Sequence, residues 1–99
     1  MNTNTFFAAA FSVNLEKTGA NINRYRLEKG YSVADLQEMF NFSSPQAIYK
    51  WMKGSCLPTI ENLYVLSVIF GVTLEDILVI DGRSNTTSGD KPDVFLCAA

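Results

Sequence analysis

Between Thr18 and Ile80, residues that start and stop helices recur at intervals too short for any long element. Gly30, Gly54 and Gly71 each close a stretch with helical spacing of apolar residues. A missing Cβ suits the left-handed residue that ends a helix. Ser32, Thr59 and Thr73 each precede such a stretch, where a hydroxyl can accept from a free first-turn amide. Ser32 and Thr73 are followed three residues later by Asp35 and Asp76, whose carboxylates can reach back to the amide of the cap residue. No stretch shows the sustained period-two alternation of a strand, so the chain is read as all-α.

Five helices fit this punctuation. The first starts near Thr18 or Asn21, presents Ile22 and Tyr25 at a spacing of three, and stops at Gly30. The second opens with Ser32, buries Leu36 and Phe40, and gives way to Asn41, a residue that tolerates a left-handed turn. The third begins at Ser43 or Ser44, carries Pro45 in its first turn and ends at Gly54. Its inner face holds Ile48 and Trp51 with small Ala47 beside them, while Gln46, Tyr49, Lys50 and Lys53 point elsewhere. The fourth is capped by Thr59 after Pro58, and the fifth, opened by Thr73, buries Leu74, Ile77 and Leu78. The expected core is Leu36, Phe40, Ile48, Trp51, Leu63 and Phe70.

The expected organisation is a compact five-helix bundle over 18–80, an N-terminal extension at 1–17 and a flexible C-terminal tail at 81–99, with short irregular or strand-like ends. The polar run DGRSNTTSGDKPD at 81–93 has too little apolar surface to bury. Val94 to Leu96 is apolar again and is expected to dock on Phe6 to Phe11, as a strand pair or across a dimer.

Composition narrows the chemistry. With 99 residues the chain holds one domain, and it contains no histidine. That removes His-assisted nucleophiles and His-containing zinc sites. Cys56 and Cys97 lack CxxC spacing and are read as two reduced thiols, no carboxylate pair stands out as acid and base, and no Gly-rich phosphate loop occurs. No catalysis, cofactor, metal or small-molecule substrate is expected. The run FFAAAF at 6–11 has no preceding Lys or Arg and is short beside the ~7–15 residues of a signal core. No window approaches the ~18 apolar residues of a membrane span. A soluble, cytoplasmic protein without a membrane partner is expected.

Charge is uneven. Residues 17–57 carry Lys17, Arg24, Arg26, Lys29, Lys50 and Lys53 against Glu28, Asp35 and Glu38, a balance of +3 within a chain of net charge −2. Such asymmetry lets one face meet a polyanion. Only Asn41, Phe42 and Ser43 separate the second and third helices, which forces the sharp corner of a helix-turn-helix.

From Thr18 to Val79 the chain resembles the phage-repressor and Cro-like, XRE-type helix-turn-helix family. The resemblance is carried by GYSVADLQEMFNFSSPQAIYKWMKG and then LPTIENLYVLSVIFGVTLEDIL, through the order of Gly30, Ser32, Leu36, Ile48, Trp51, Gly54, Pro58, Leu63, Gly71 and Leu74. It implies a lambda-repressor-like DNA-binding domain whose recognition helix, Ser44 to Lys53, lies in the major groove of double-stranded DNA. Side-chain chemistry agrees with that placement. Gln46 can pair with adenine, Lys50 can donate to guanine or phosphate, and Tyr49 can stack, meet a thymine methyl or reach a phosphate. Lys53 and Ser55 suit backbone contacts, and Ser32, Ser43 and Ser44 offer neutral phosphate donors together with free amides at helix starts.

The family pattern is not followed throughout. Val33 stands where the family often has Gln, Gln37 where it has a small residue, and Asn41 where it commonly has Gly. The stretch from Asn41 to Ile48 is one residue longer than usual. Met52 replaces a Glu that pairs with the first-helix Arg, which leaves Arg26 open to solvent or phosphate.

On the fourth helix Ile60, Leu63, Leu66, Ser67 and Phe70 share one side, while Val65, Val68 and Ile69 fall largely on the other. A helix apolar on both sides needs two partners. A homodimer through Tyr64, Val65, Val68 and Ile69 is therefore expected, with two recognition helices ~34 Å apart on a palindromic site. The resulting expectation is a sequence-specific, repressor-like transcriptional regulator. The alternative is a protein-interaction module on the same fold, antitoxin-like or without DNA binding, which a pI of 4.9 and Val33 favour.

Overall fold

The structure, a computed structural model, describes residues 11–82 and 96–97. In chain order the elements are β1 (Phe11–Val13), α1 (Leu15–Lys29), α2 (Val33–Phe40), α3 (Gln46–Lys53), β2 (Leu57–Pro58), α4 (Ile60–Phe70), α5 (Leu74–Ile77), β3 (Ile80–Gly82) and β4 (Leu96–Cys97). Five helices form the bundle, as the capping pattern leads one to expect; the strands are short, and β2, between α3 and α4, lies inside the unit read as all-helical.

The local chemistry is mostly the anticipated one. Ser32 accepts from the Asp35 amide at 3.0 Å while the Asp35 carboxylate accepts from the Ser32 amide at 2.8 Å. Thr73 and Asp76 repeat the arrangement at 3.1 and 3.0 Å. Thr59 caps α4 by accepting from Asn62, and Asn41 takes the left-handed conformation at φ 59° that ends α2.

Two helix starts differ from the sequence reading. α1 begins at Leu15, ahead of Thr18 or Asn21, because Asn14 caps it by accepting from the Lys17 amide at 2.8 Å. The Thr18 hydroxyl turns inward instead and accepts from the Val79 amide at 2.9 Å. α3 begins at Gln46, not at Ser43 or Ser44, and Pro45 occupies its cap position without any side-chain capping bond.

The core is made by Ile22, Leu36, Ile48, Trp51, Leu63, Leu66, Phe70 and Ile77, one contribution or more from every helix. Phe40 is partly buried against it. Ile60, expected inward, is 66% exposed. It is the first residue of α4, rotated off the row formed by Leu63, Leu66 and Phe70.

α1 crosses α3 at a distance that glycine permits. A Cβ on Gly19 would collide with the Trp51 carbonyl and come within 2.8 Å of the Met52 carbonyl, and one on Gly54 would come within 2.8 Å of the Glu16 Cα. The amino-terminal half of α1 thus lies backbone to backbone against the end of α3. α1 also holds the end of α5 through Asn21, whose side-chain amide donates to the Ile77 carbonyl at 3.0 Å.

The ends pair with the body of the fold. β1 runs antiparallel to β3 with Phe11 opposite Gly82 and Val13 opposite Ile80, reinforced by the Asn14 amide donating to the Val79 carbonyl at 2.7 Å. β4 runs parallel to β2, with Leu96 opposite Leu57. The expected pairing of Val94–Leu96 on Phe6–Phe11 is therefore not found for Phe11 and Leu96, which take other partners; Phe6–Ala10 and Val94–Phe95 lie outside the described residues. So does 83–93, most of the expected tail. Cys56 is disulfide-bonded, which corrects its reading as a reduced thiol. Among the described residues no helix is long and apolar enough to cross a membrane, and no cluster of acidic or cysteine side chains is arranged to hold a metal ion.

Candidate nucleic-acid interface

α3 is amphipathic in the sense the sequence requires. Ile48 is fully buried and Trp51 is 1% exposed, with Ala47 and Met52 packed against the core beside them. Gln46, Tyr49, Lys50 and Lys53 are all exposed, at positions i, i+3, i+4 and i+7 of one face. Ser43 and Ser44 are exposed just ahead of that face and Ser55 just after its end. Ser32 is exposed at the head of α2.

The electrostatics of this strip are one-signed. From Phe42 to Pro58 there is no acidic residue, while Lys50 and Lys53 sit in the last turn of α3, where a cation also complements the helix dipole. The start of α3 differs from the other four helix starts in having no side chain that caps its first amides. Those amides point toward the positive end of the helix dipole, where an anionic oxygen is favoured. At α2 the situation is different: the Ser32 amide is already taken by the Asp35 carboxylate, so Ser32 keeps only its hydroxyl as a donor.

Arg26 is not left open by the replacement of its family partner. Its guanidinium donates to the Tyr31 carbonyl at 2.9 Å and to the Asn23 side chain at 2.7 Å, which ties α1 to the turn before α2. Arg24 is one of three exposed cations of α1, with Lys17 and Lys29, and lies 4.4 Å from the centre of the Tyr25 ring and 3.2 Å from Glu28. Hydrogen bonding to Tyr25 and then to Glu28 pushes its pKa further above the ordinary value.

The exposed apolar residues of α4 are Ile60 (66%), Tyr64 (61%), Val68 (62%) and, less so, Val65 (37%). The first three are four residues apart and form a stripe one turn per step. Ile69, expected among them, is partly buried and packs on the core. The sequence reading missed Ile60 as a member of this stripe, and it missed Gln37 and Phe42 as the residues that shape the turn into α3. The signal for Gln37 was its appearance where a small residue is usual.

A bundle of five short helices whose second and third make a sharp corner, with a buried row and a solvent-open polar row on the third, defines a helix-turn-helix domain. Residues 22–77 match the helix-turn-helix family of the XRE type, and the chain belongs to that family. Its fold is similar to a crystal structure of the DNA-binding domain of BldD, with a TM-score of 0.58 at 19% identity, covering 67% of this chain and 94% of that one. It is equally similar to the BldD DNA-binding domain of S. venezulae, with a TM-score of 0.57 at 19% identity, covering 67% and 97% of the two chains. No curated protein matches the sequence.

Proposed function

We propose that the chain is a sequence-specific DNA-binding transcriptional regulator, repressor-like and non-catalytic, that reads the major groove with α3. The observation that carries this reading is the outer row of α3: Gln46, Tyr49, Lys50 and Lys53 stand exposed on a helix whose inner row is buried, within a stretch free of acidic residues. An α-helix fits the major groove, and these side chains supply a bidentate amide for adenine, an aromatic ring and two cations for guanine or phosphate. Ser43, Ser44, Ser55 and the uncapped amides at the start of α3 serve as phosphate contacts, with the Ser32 hydroxyl a further one. The BldD domains of similar fold are described as DNA-binding, which agrees with this use of the surface.

In this reading the protein acts as a homodimer in the cytoplasm. The stripe Ile60, Tyr64 and Val68, flanked by Val65, supports the dimer because it is an apolar helix face left uncovered by the protomer's own core. Two-fold pairing places two copies of α3 about one DNA turn apart, ~34 Å, and calls for a palindromic site.

Selection from a random duplex library with wild type and with Gln46→Ala plus Lys50→Ala tests the proposal. The expected result is an enriched motif that the double variant fails to enrich. No enrichment by wild type at low salt would instead favour a protein-interaction module on the same fold.

A further inference from the structure

α2 ends in a way that gives one side chain hold of the next residue from two directions. Asn41 turns left-handed, its amide donates to the Glu38 carbonyl at 3.0 Å, and the Phe42 amide donates to the Gln37 carbonyl at 3.0 Å. This pair of bonds is the ordinary closure of a helix. The unusual addition is the Gln37 side chain, whose Nε2 donates back to the Phe42 carbonyl at 3.2 Å. Both polar groups of Phe42 are thereby bound to the same residue.

The ring of Phe42 carries that hold into α3. It stacks on Phe40 with centroids 5.0 Å apart and planes 19° apart, and it meets the Trp51 ring edge-on at 5.8 Å and 69°. Phe40 meets Trp51 edge-on as well, at 5.3 Å. Trp51 is buried on the inner row of α3, directly opposite the exposed row. Between Phe42 and the first turn of α3 lie only Ser43, Ser44 and Pro45. A helix with its side chains is ~10–12 Å across, so a rotation of about 10° moves its outer atoms by about 1 Å. Base-edge hydrogen bonds do not tolerate that displacement.

We propose that Gln37 is a positioning residue for DNA recognition, clamping Phe42 so that the Phe40–Phe42–Trp51 cluster fixes the angle at which α3 presents Gln46, Tyr49 and Lys50. The proposal rests on the DNA-binding reading and adds to it a residue that touches no DNA itself.

The test compares wild type with Gln37→Met, which keeps the length of the side chain and the main-chain carbonyl but removes the donor. Three readouts are taken on the full chain: the motif selected from a random duplex library, the ratio of affinity for that motif over random duplex across a salt series, and the fluorescence of Trp51, the sole tryptophan. The expected result is a folded variant with altered Trp51 emission, a specificity ratio reduced about tenfold or more, and an unchanged salt slope, since no phosphate contact is lost. Equal motif and equal ratio in the two proteins would overturn the positioning role while leaving DNA binding intact. A wild type that enriches no motif would overturn the DNA-binding reading and this inference with it. Should Gln37→Met lose its cooperative unfolding transition, Gln37→Leu, which is also uncharged and has no donor, carries the same comparison.

Discussion

Gly19 lies against the carbonyl of Trp51 with no space for a side chain between them. α1 and the candidate recognition helix are thus in contact through their backbones, and the position of one fixes the position of the other. On helix propensity alone Gly19→Ala should stabilise α1 by about 1 kcal/mol. The collision with rigid main-chain atoms of Trp51 and Met52 opposes that gain. Overpacking typically costs ~1–3 kcal/mol, so the net expectation is a loss of stability. Urea unfolding would show it as a lower midpoint, and a midpoint at or above that of wild type would contradict the crossing geometry.

The hydroxyl of Thr18 separates two roles that a buried threonine can play. It accepts from the Val79 amide at 2.9 Å in a site where Thr18 is 1% exposed. Thr18→Val keeps the shape and strands the amide, which costs ~1–3 kcal/mol. Thr18→Ser keeps the acceptor and loses one methyl, about 0.8 kcal/mol by burial. The expected stability order in thermal or urea unfolding is wild type, then Ser, then Val; a Val variant as stable as wild type would show that the bond contributes nothing.

How far the sequence foretold this fold depends on the range of the interaction concerned. The boxes Ser32–Asp35 and Thr73–Asp76 and the turn at Asn41 were legible because each is settled within four residues of backbone. Gly19 carried no such sign: in sequence it is a glycine inside a helix, and its necessity comes from Trp51 more than thirty positions away. The true start of α1 is hidden for a related reason, since Thr18 looks like a cap until Val79 claims its hydroxyl. The outer row of α3 was readable because Ile48 and Trp51 fix the phase of a short helix. α4 is less legible. It is apolar nearly all round, so periodicity does not distinguish Ile60, which is exposed, from Ile69, which packs inward.

The two polar kinds of residue on α3 should fail differently. Lys50→Ala removes a cation from each protomer, so the slope of log affinity against log salt should become shallower by about 0.9 per protomer, about 1.8 for the bound dimer, if Lys50 meets a phosphate. Gln46→Ala removes a base reader without removing charge. It should leave the slope alone and relax the preference at one position by ~1–3 kcal/mol. Titration of both variants on the selected duplex at several salt concentrations separates the roles, and identical slopes for wild type and Lys50→Ala would place Lys50 away from the backbone.

Asn41 provides a test of the corner that does not involve DNA. Its φ of 59° is one that residues other than Gly, Asn and Asp adopt at a cost of about 1–2 kcal/mol. Asn41→Ala should therefore destabilise by roughly that amount, whereas Asn41→Gly should be close to neutral, the relief of steric strain offsetting the added freedom of the unfolded chain. Equal losses in both variants, measured by urea unfolding, would mean that the Asn side chain rather than the backbone conformation matters there.

The stripe on α4 distinguishes assembly from folding. Val68 is 62% exposed in the protomer, so Val68→Glu should leave its folding within about 0.5 kcal/mol of wild type. In a two-fold dimer the same change buries two carboxylates in an apolar face, and neither has a cationic neighbour on α4, whose only charged residue is Glu61. Sedimentation at tens of micromolar should then show a dimer for wild type and a monomer for the variant. Affinity for the palindromic site should fall by about 100-fold or more, because the second half-site is no longer tethered to the first. Ile69→Ala provides the contrast: Ile69 packs on the core, so its truncation should lower stability rather than change the oligomeric state. A wild type that sediments as a monomer under these conditions would remove the dimer, and the palindrome with it, while leaving the reading of α3 to be judged by the duplex selection alone.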